Sequence, residues 1–269
     1  MTSIQEAFGL YREYKKACNS SKVDKAQCAD LLKQLKRKFI QFDSFLPGVD
    51  TSMEEISKTT KQEILLVRQT LELATLFSVR QHDIKSFEKH FPQLKSYYTD
   101  YDDIIPESEI KLKILGLNLL RLLAQNDISA FHSELELIDI EKHVNIYIRH
   151  PIQLETYIME GAYNKIATLR QSVPADEYSY FMDVLTTTVR DEIAECCQKS
   201  YQELSVSGAS ELLMLYNDKE TLEYAKKIGW KVENNKFKFE KDNQQEQFVK
   251  APQFIVNALG YAKQFEQII

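Results

Sequence analysis

Residues 106–127 read PESEIKLKILGLNLLRLLAQND, and this stretch decides the fold. Pro106 with Glu107 and Glu109 reads as a first helical turn, where proline gives up no hydrogen bond and carboxylates favour the positive end of the dipole. From Leu112 to Leu123 the pattern is apolar on nearly every side, so it predicts a helix buried between neighbours. Asn126-Asp127 then supplies a turn and an N-cap for a shorter helix carrying Ile128, Phe131 and Leu135. Helices that follow one another through short turns form antiparallel hairpins, and hairpins in succession stack as a solenoid.

The same grammar holds upstream. Ile4, Phe8, Tyr11 and Tyr14 fall at helical spacing before a loop at Asn19-Ser20-Ser21. A second helix carries Cys28, Leu31, Leu32, Leu35, Phe39 and Phe42, and Pro47-Gly48 ends it. Ser52 and Glu55 have capping-box spacing ahead of a long run through Ile56, Ile64, Leu65, Leu71 and Ala74. Ile84, Phe87, Phe91 and Leu94 mark a fourth helix. No fixed period repeats well enough for the residues alone to name a repeat class.

Downstream, His150 before Pro151 reads as a helix-start residue with a structural hydrogen bond. Helical patterns follow through Leu154, Tyr157 and Ile158, then Tyr163, Ile166 and Leu169. A longer one runs from about Pro174 to Tyr201, with a break expected near Thr186-Thr187-Thr188, where three β-branched residues weaken helix propensity. Leu204-Ser205-Val206 is a short strand candidate and Ser207 to Leu215 a short helix. Asn217-Asp218 caps another helix through Leu222, Tyr224, Ala225 and Ile228, which Gly229 stops. Trp230 to Glu233 and Lys236 to Phe239 alternate apolar and polar around Asn234-Asn235, the pattern of a hairpin. Three helices with a small hairpin make a winged helix. Residues 241–250 form a polar linker, and Pro252 opens a final amphipathic helix.

Composition narrows the function. At 269 residues, 43% hydrophobic and 28% charged, the chain has a globular make-up, and 7 glycines with 6 prolines favour long helices over an all-β fold. The net charge of -6 supplies no broad positive field for nucleic acid. Residues 151–240 hold 10 Lys and Arg against 15 Asp and Glu, and Asp218, Glu220 and Glu223 sit on the would-be recognition helix. Carboxylates there would face phosphates, so lateral contact with protein is the better use of the winged helix. The N-terminus shows no signal-peptide pattern, and the most apolar stretch, Ile114 to Leu123, is broken by Arg121 and too short to span a membrane. The four cysteines (Cys18, Cys28, Cys196 and Cys197) match neither a zinc site nor a disulfide framework, which fits a reducing compartment. All seven glycines are isolated and the five histidines form no HExxH pair, so we expect no catalytic residues, no metal, no cofactor and no small-molecule substrate. Adjacent Cys196 and Cys197 read as buried or half-buried thiols.

The last helix has the sharpest functional reading. Ile255, Ala258, Leu259, Ala262 and Phe265 share one face, flanked by Phe254, Ile268 and Ile269. Folding back onto the chain's own core is the alternative. An isolated helix of this length is marginal in water, and Gly260 costs it roughly 1 kcal/mol more against alanine. Burying five to seven such side chains offers on the order of 10 kcal/mol gross, so a partner surface is expected for Phe254, Ile255, Ala258, Leu259, Ala262, Phe265 and Ile268.

Three segments then carry a resemblance. His150-Pro151 with Leu154-Glu155 and Tyr157 to Lys165, Leu115 to Leu120 with Gln125-Asn126, and Val189 to Ala194 with Cys196 resemble one PCI-domain family. It is that of the proteasome's non-ATPase regulatory subunit 12, called subunit 8 in the mammalian scheme, and the likeness runs from about residue 90 to the C-terminus. The resemblance implies a mostly α fold: a right-handed, TPR-like helical-repeat solenoid, a winged-helix subdomain (together the PCI module) and a C-terminal helix. It implies N-terminal repeats over 1–74, a PCI domain over 75–243 (helical hairpins 75–173, winged helix 174–243), and a linker with an assembly helix over 244–269. The implied role is structural, in the lid that docks on the ATPase base of the 26S proteasome for degradation of ubiquitylated proteins. The implied partners are other PCI subunits of the lid, met through the winged helix and a bundle of C-terminal helices, with no nucleic acid or membrane, in cytoplasm and nucleus. The same module in the signalosome or translation initiation factor three is the alternative, with a winged-helix nucleic-acid binder behind it.

Overall fold

The computed structural model describes residues 2–19, 25–42, 58–102, 105–170, 172–215, 217–233, 236–239 and 251–266. The chain divides into two compact units, residues 1–189 and 190–269, and the division falls inside one long helix. The architecture is mostly α with one small sheet, as expected. Ser20-Ser21, Pro47-Gly48, Ser52, Glu55, Ile56, Asn234-Asn235, the 241–250 linker, Ile268 and Ile269 lie outside the described residues.

The first unit is built from α1 (Thr2–Asn19), α2 (Lys25–Phe39), α3 (Lys58–Arg80), α4 (Ile84–Asp100), α5 (Lys111–Ala124), α6 (Ile128–Glu136), a 3-10 turn (Ile140–Val144), α7 (Ile146–Met159), α8 (Tyr163–Leu169) and the first part of α9 (Asp176–Ser200). Neighbours in sequence pack as pairs, α1 on α2, α3 on α4 and α5 on α6, and α5 also packs on α7. The turn at Asn126-Asp127 is where the sequence puts it. Asn126 takes a left-handed φ of 58°, and the Asp127 carboxylate accepts from the Ala130 N–H at 3.1 Å to cap α6.

α5 is the apolar helix of the opening stretch, and it is buried as expected: Ile114, Leu117, Leu119 and Leu120 are closed off from solvent. Its start differs from the reading. The helix begins at Lys111, not at Pro106. Pro106 is held outside it because Arg68 of α3 donates to its carbonyl at 2.8 Å, and Lys111 pairs with Asp102 across the connector.

A second correction concerns His150-Pro151. α7 starts earlier, at Ile146, capped by Asn145, so both residues lie inside the helix and His150 is buried rather than a helix-start residue. Its Nε2 has no hydrogen-bond partner among the described residues. A proline at this position withholds the N–H that would reach the carbonyl four residues back, which is Tyr147. The structure supplies a substitute. The buried Tyr178 hydroxyl of α9 lies 3.3 Å from the Tyr147 carbonyl and 3.0 Å from the Lys113 carbonyl of α5. Gly116 makes room for this knot, since a Cβ there would collide with the Tyr178 hydroxyl and the Tyr147 backbone. The segment from Leu115 to Leu120 thus lies in a helix packed against α7, the helix that carries His150 and Pro151.

The expected break at Thr186–Thr188 is absent, and α9 runs unbroken. The threonine hydroxyls bond back along the helix, Thr186 to the Met182 carbonyl at 2.7 Å and Thr187 to that of Asp183 at 3.1 Å. Thr188 reaches across to the Ala124 carbonyl at 2.8 Å, a freed acceptor at the end of α5. Tertiary contact thus overrides a weak local preference.

The second unit contains the rest of α9, β1 (Glu203–Ser205), α10 (Val206–Leu212), α11 (Asp218–Ile228), β2 (Lys231–Glu233), β3 (Lys236–Lys238) and α12 (Ala251–Glu266). The strands form an antiparallel sheet in the order β1-β3-β2, with Leu204 and Val232 both paired to Phe237. Val206, read as strand, is the first residue of α10, because the Ser205 hydroxyl accepts from the Gly208 N–H at 3.1 Å and starts the helix there. Gly229 ends α11 at a φ of 88°, the left-handed conformation glycine adopts freely. Asn217 takes the N-cap position, but its side-chain amide donates to Glu220 at 3.1 Å instead of accepting from the backbone. Trp230 packs edge-on against Phe237 and Phe239 at 5.1 and 4.9 Å between ring centres. Helix, strand, two helices and a two-stranded wing make the winged helix the sequence predicts.

Candidate assembly surfaces

α12 is the extreme case of an element without a core. Its large apolar side chains Phe254, Ile255, Val256, Leu259, Tyr261 and Phe265 are between 59% and 69% exposed. Ala258 and Ala262 are exposed with them, while Ile268 lies outside the described residues. Two residues of this surface were missed by a single-stripe reading. Tyr261 sits beside Phe254 and Phe265 when residues advance about 100° each, widening the apolar arc to about 160°. Val256 stands apart on the opposite side. An arc wider than one neighbour covers suits a helix seated between several others.

The winged helix is held from within its own unit by two residues of the third resemblance-bearing segment. The Arg190 guanidinium donates to the Leu213 carbonyl at 3.1 Å and lies 3.4 Å from that of Met214, satisfying the end of α10 where Met214 turns left-handed. The Tyr224 hydroxyl of α11 donates to the Asp191 carboxylate. Burial and that carboxylate push the phenol's pKa well above its ordinary value. Both wing lysines of β3 are paired, Lys236 with Glu203 at 3.2 Å and Lys238 with Glu233. These two wing lysines, which a nucleic-acid reader would aim at phosphates, are thus matched by carboxylates.

The polar groups elsewhere make structural arrangements. Cys197 is buried, and burial pushes its thiol's pKa up; Cys196 is exposed, unlike the half-buried thiol expected. His132 lies 3.4 Å from Glu155, and Glu134 pairs with Lys95 at 2.7 Å. A cavity of about 400 Å³ in the first unit is lined by Tyr14, Cys28, Leu32, Lys36, Ala74 and His90 among others. There the Lys36 ammonium donates to His90 Nδ1 at 3.2 Å, and burial, with that cation beside it, pushes the His90 pKa down to about 4. Among the described residues no three His, Cys, Asp or Glu side chains gather to hold a metal, and no helix is long and apolar enough to cross a membrane.

Paired helices, a winged helix and a bare apolar last helix define a class of protein built to be joined to others. The chain belongs to the CSN8/PSMD8/EIF3K family, which matches residues 109–250. It is 40% identical over 246 residues to the 26S proteasome non-ATPase regulatory subunit 8 homolog A of Arabidopsis thaliana, covering 90% of each chain. It is 32% identical over 262 residues to the 26S proteasome regulatory subunit RPN12 of Saccharomyces cerevisiae, covering 91% of this chain and 93% of the relative. The 26S proteasome non-ATPase regulatory subunit 8 of Caenorhabditis elegans is 33% identical over 236 residues, 83% of this chain and 93% of its own. These alignments reach beyond the stretch from about residue 90 onward and take in N-terminal helices as well. The family match ends at residue 250, one residue before α12.

Proposed function

We propose that this chain is a structural, non-catalytic subunit of the lid of the 26S proteasome regulatory particle, required for lid assembly and so for ATP-dependent degradation of ubiquitylated proteins. The relatives' names support the complex. The exposed apolar face of α12 is the observation that supports the scaffold role, because a surface of this kind is stable only when covered. Phe254, Ile255, Ala258, Leu259, Ala262, Phe265 and Ile268 carry the contact, Tyr261 lies within the same arc, and the winged helix meets a neighbouring subunit's PCI module laterally. The division of labour is N-terminal repeats over 1–74, a PCI domain over 75–243 and a linker with assembly helix over 244–269. The chain works in cytoplasm and nucleus.

Deleting residues 251–269 tests this. The shortened chain keeps its melting temperature, while an affinity-tagged lid purified from cells that carry it in place of the full chain loses the subunit. Full occupancy of the truncated chain in the lid would refute the role of α12. Mass spectrometry of the co-purified proteins distinguishes the proteasome from the signalosome or initiation factor three.

A further inference from the structure

A second exposed apolar surface stands in the first unit, between α6 and α7. Leu137, Ile140, Val144 and Ile146 are between 62% and 83% exposed within ten residues of chain. Together they present several hundred Å² of apolar surface, the size at which an exposed patch on a soluble protein marks an interaction site.

The segment is braced. Ile138 is buried beneath it, and His143 Nε2 donates to the Ile138 carbonyl at 3.1 Å. The 3-10 turn closes through Lys142 N–H to the Asp139 carbonyl at 2.9 Å, and Asn145 caps α7 at 3.0 Å. The Lys142 ammonium ties the turn to the α4–α5 connector, 2.9 Å from Glu107, and lies 3.3 Å from the Asp139 carboxylate. Four apolar side chains on a braced turn are held ready for contact before a partner arrives, which lowers the entropic cost of docking.

The frame around them is acidic. Glu136 and Glu141 are exposed, and Lys142, the one Lys or Arg of residues 136–146, is shared between Glu107 and Asp139. Four carboxylates against Lys142 and the exposed Arg149, one turn on from Ile146, leave the frame net negative, which repels the anionic headgroups of a membrane and the phosphates of nucleic acid. They attract a basic protein segment. Among the described residues the first unit contains no strand to pair with an extended peptide, so a segment that satisfies its own backbone fits.

We propose that this face docks a basic amphipathic helix of a protein partner, its apolar side chains covering Leu137, Ile140, Val144 and Ile146 and its lysines or arginines meeting the carboxylate frame. This face is made by residues of the first unit alone and does not depend on which complex the chain joins.

The test places the photo-cross-linker benzoylphenylalanine at position 140 of the full chain, so that the yield reads this face and not α12. The probes are a fluorescent amphipathic helical peptide of leucine and lysine, and its twin with glutamate for lysine. The lysine peptide should give an adduct about tenfold above its twin, falling as salt rises. In chains carrying the cross-linker, Val144→Asp should cut that yield about tenfold, and the charge reversals Glu136→Lys and Glu141→Lys should cut it severalfold, all with unchanged melting temperature. Equal yields from the two peptides, or yields indifferent to Val144→Asp, overturn the proposal. In the assembled complex the same cross-linker should capture a partner segment whose sequence interleaves Lys or Arg with apolar residues. An acidic segment, a lipid adduct or no adduct contradicts it.

Discussion

α5 and α12 are both short, strongly apolar helices, of 14 and 16 residues, and their surroundings are opposite. α5 is enclosed by its own chain: Leu117 and Leu120 are fully buried, and Gly116 admits the Tyr178 hydroxyl and the Tyr147 carbonyl against its backbone. α12 has the same kind of sequence and leaves Phe254, Leu259 and Phe265 to solvent. Apolar periodicity says that a helix must be covered, and it does not say by whom. The difference lies in what surrounds each in sequence. α5 is followed by the two-residue turn Asn126-Asp127 that folds α6 onto it, whereas α12 comes after residues 241–250, a polar stretch rich in glutamine and charge.

The comparison breaks most visibly if a charge is placed in each helix. Leu120→Asp should cost about 4 kcal/mol or more and unfold the first unit in a thermal melt, because a carboxylate there has no water and no cation partner. Leu259→Asp should leave the free chain's melt within about 0.5 kcal/mol and remove the subunit from the purified complex. Equal melting losses would mean that α12 has a core of its own.

Gly116→Ala comes next. One added methyl must displace the Tyr178 hydroxyl or the Tyr147 backbone, so a loss of about 1–3 kcal/mol in denaturant midpoint is expected.

A pH scan separates the two regions by their buried ionisable groups. His90 has its pKa depressed from 6.5 to about 4, so the unfolded chain binds a proton that the folded chain refuses. Its contribution is present above pH 6.5 and is lost as pH falls towards 4. Glu177 of α9 adds loss at lower pH: burial raises its pKa, but the Lys113 ammonium at 2.8 Å and Arg80 at 3.2 Å outweigh that and lower it below 4.5. That stability is present above pH 4.5 and lost as pH falls through the depressed pKa. Thermal melts should therefore drop from pH 7 to 4 by on the order of 2 kcal/mol. His90→Asn should flatten the upper part of the curve, and a chain lacking residues 251–269 should show the same profile as the full one, since the described side chains of α12 are all exposed.

The smallest effect belongs to Gly260→Ala. With open space around Gly260, alanine only strengthens α12 by about 1 kcal/mol, which should slow its amide exchange about fivefold without moving the chain's melt.

Much of this was legible in the sequence because the signals were local. Asp127 and Gly229 act through their own backbones, and the alternation from Trp230 to Phe239 places Phe237 in the sheet core. What was not legible depends on partners distant in the chain. Pro106 looks like a helix start until Arg68, 38 residues away, takes its carbonyl. Pro151 reads as a helix boundary until Tyr178 bonds the carbonyl it leaves free, and Thr188 reads as a breaker until it meets Ala124. For the assembly surface, a one-stripe reading found Ile255, Leu259 and Phe265 and missed Tyr261, whose place depends on how many neighbours the helix has. The patch escaped any periodicity, because Ile140 and Val144 lie on a 3-10 turn while Leu137 and Ile146 sit at the helix ends on either side of it.

Hydrogen exchange along α12, free and assembled, tests the central claim most directly. In the free chain, amides of residues 254–265 should exchange close to the rate of an unprotected helix, and in the purified complex they should slow by about a hundredfold or more, with α5 protected in both states. Exchange in α12 that is equally fast in the free chain and the complex would contradict the account.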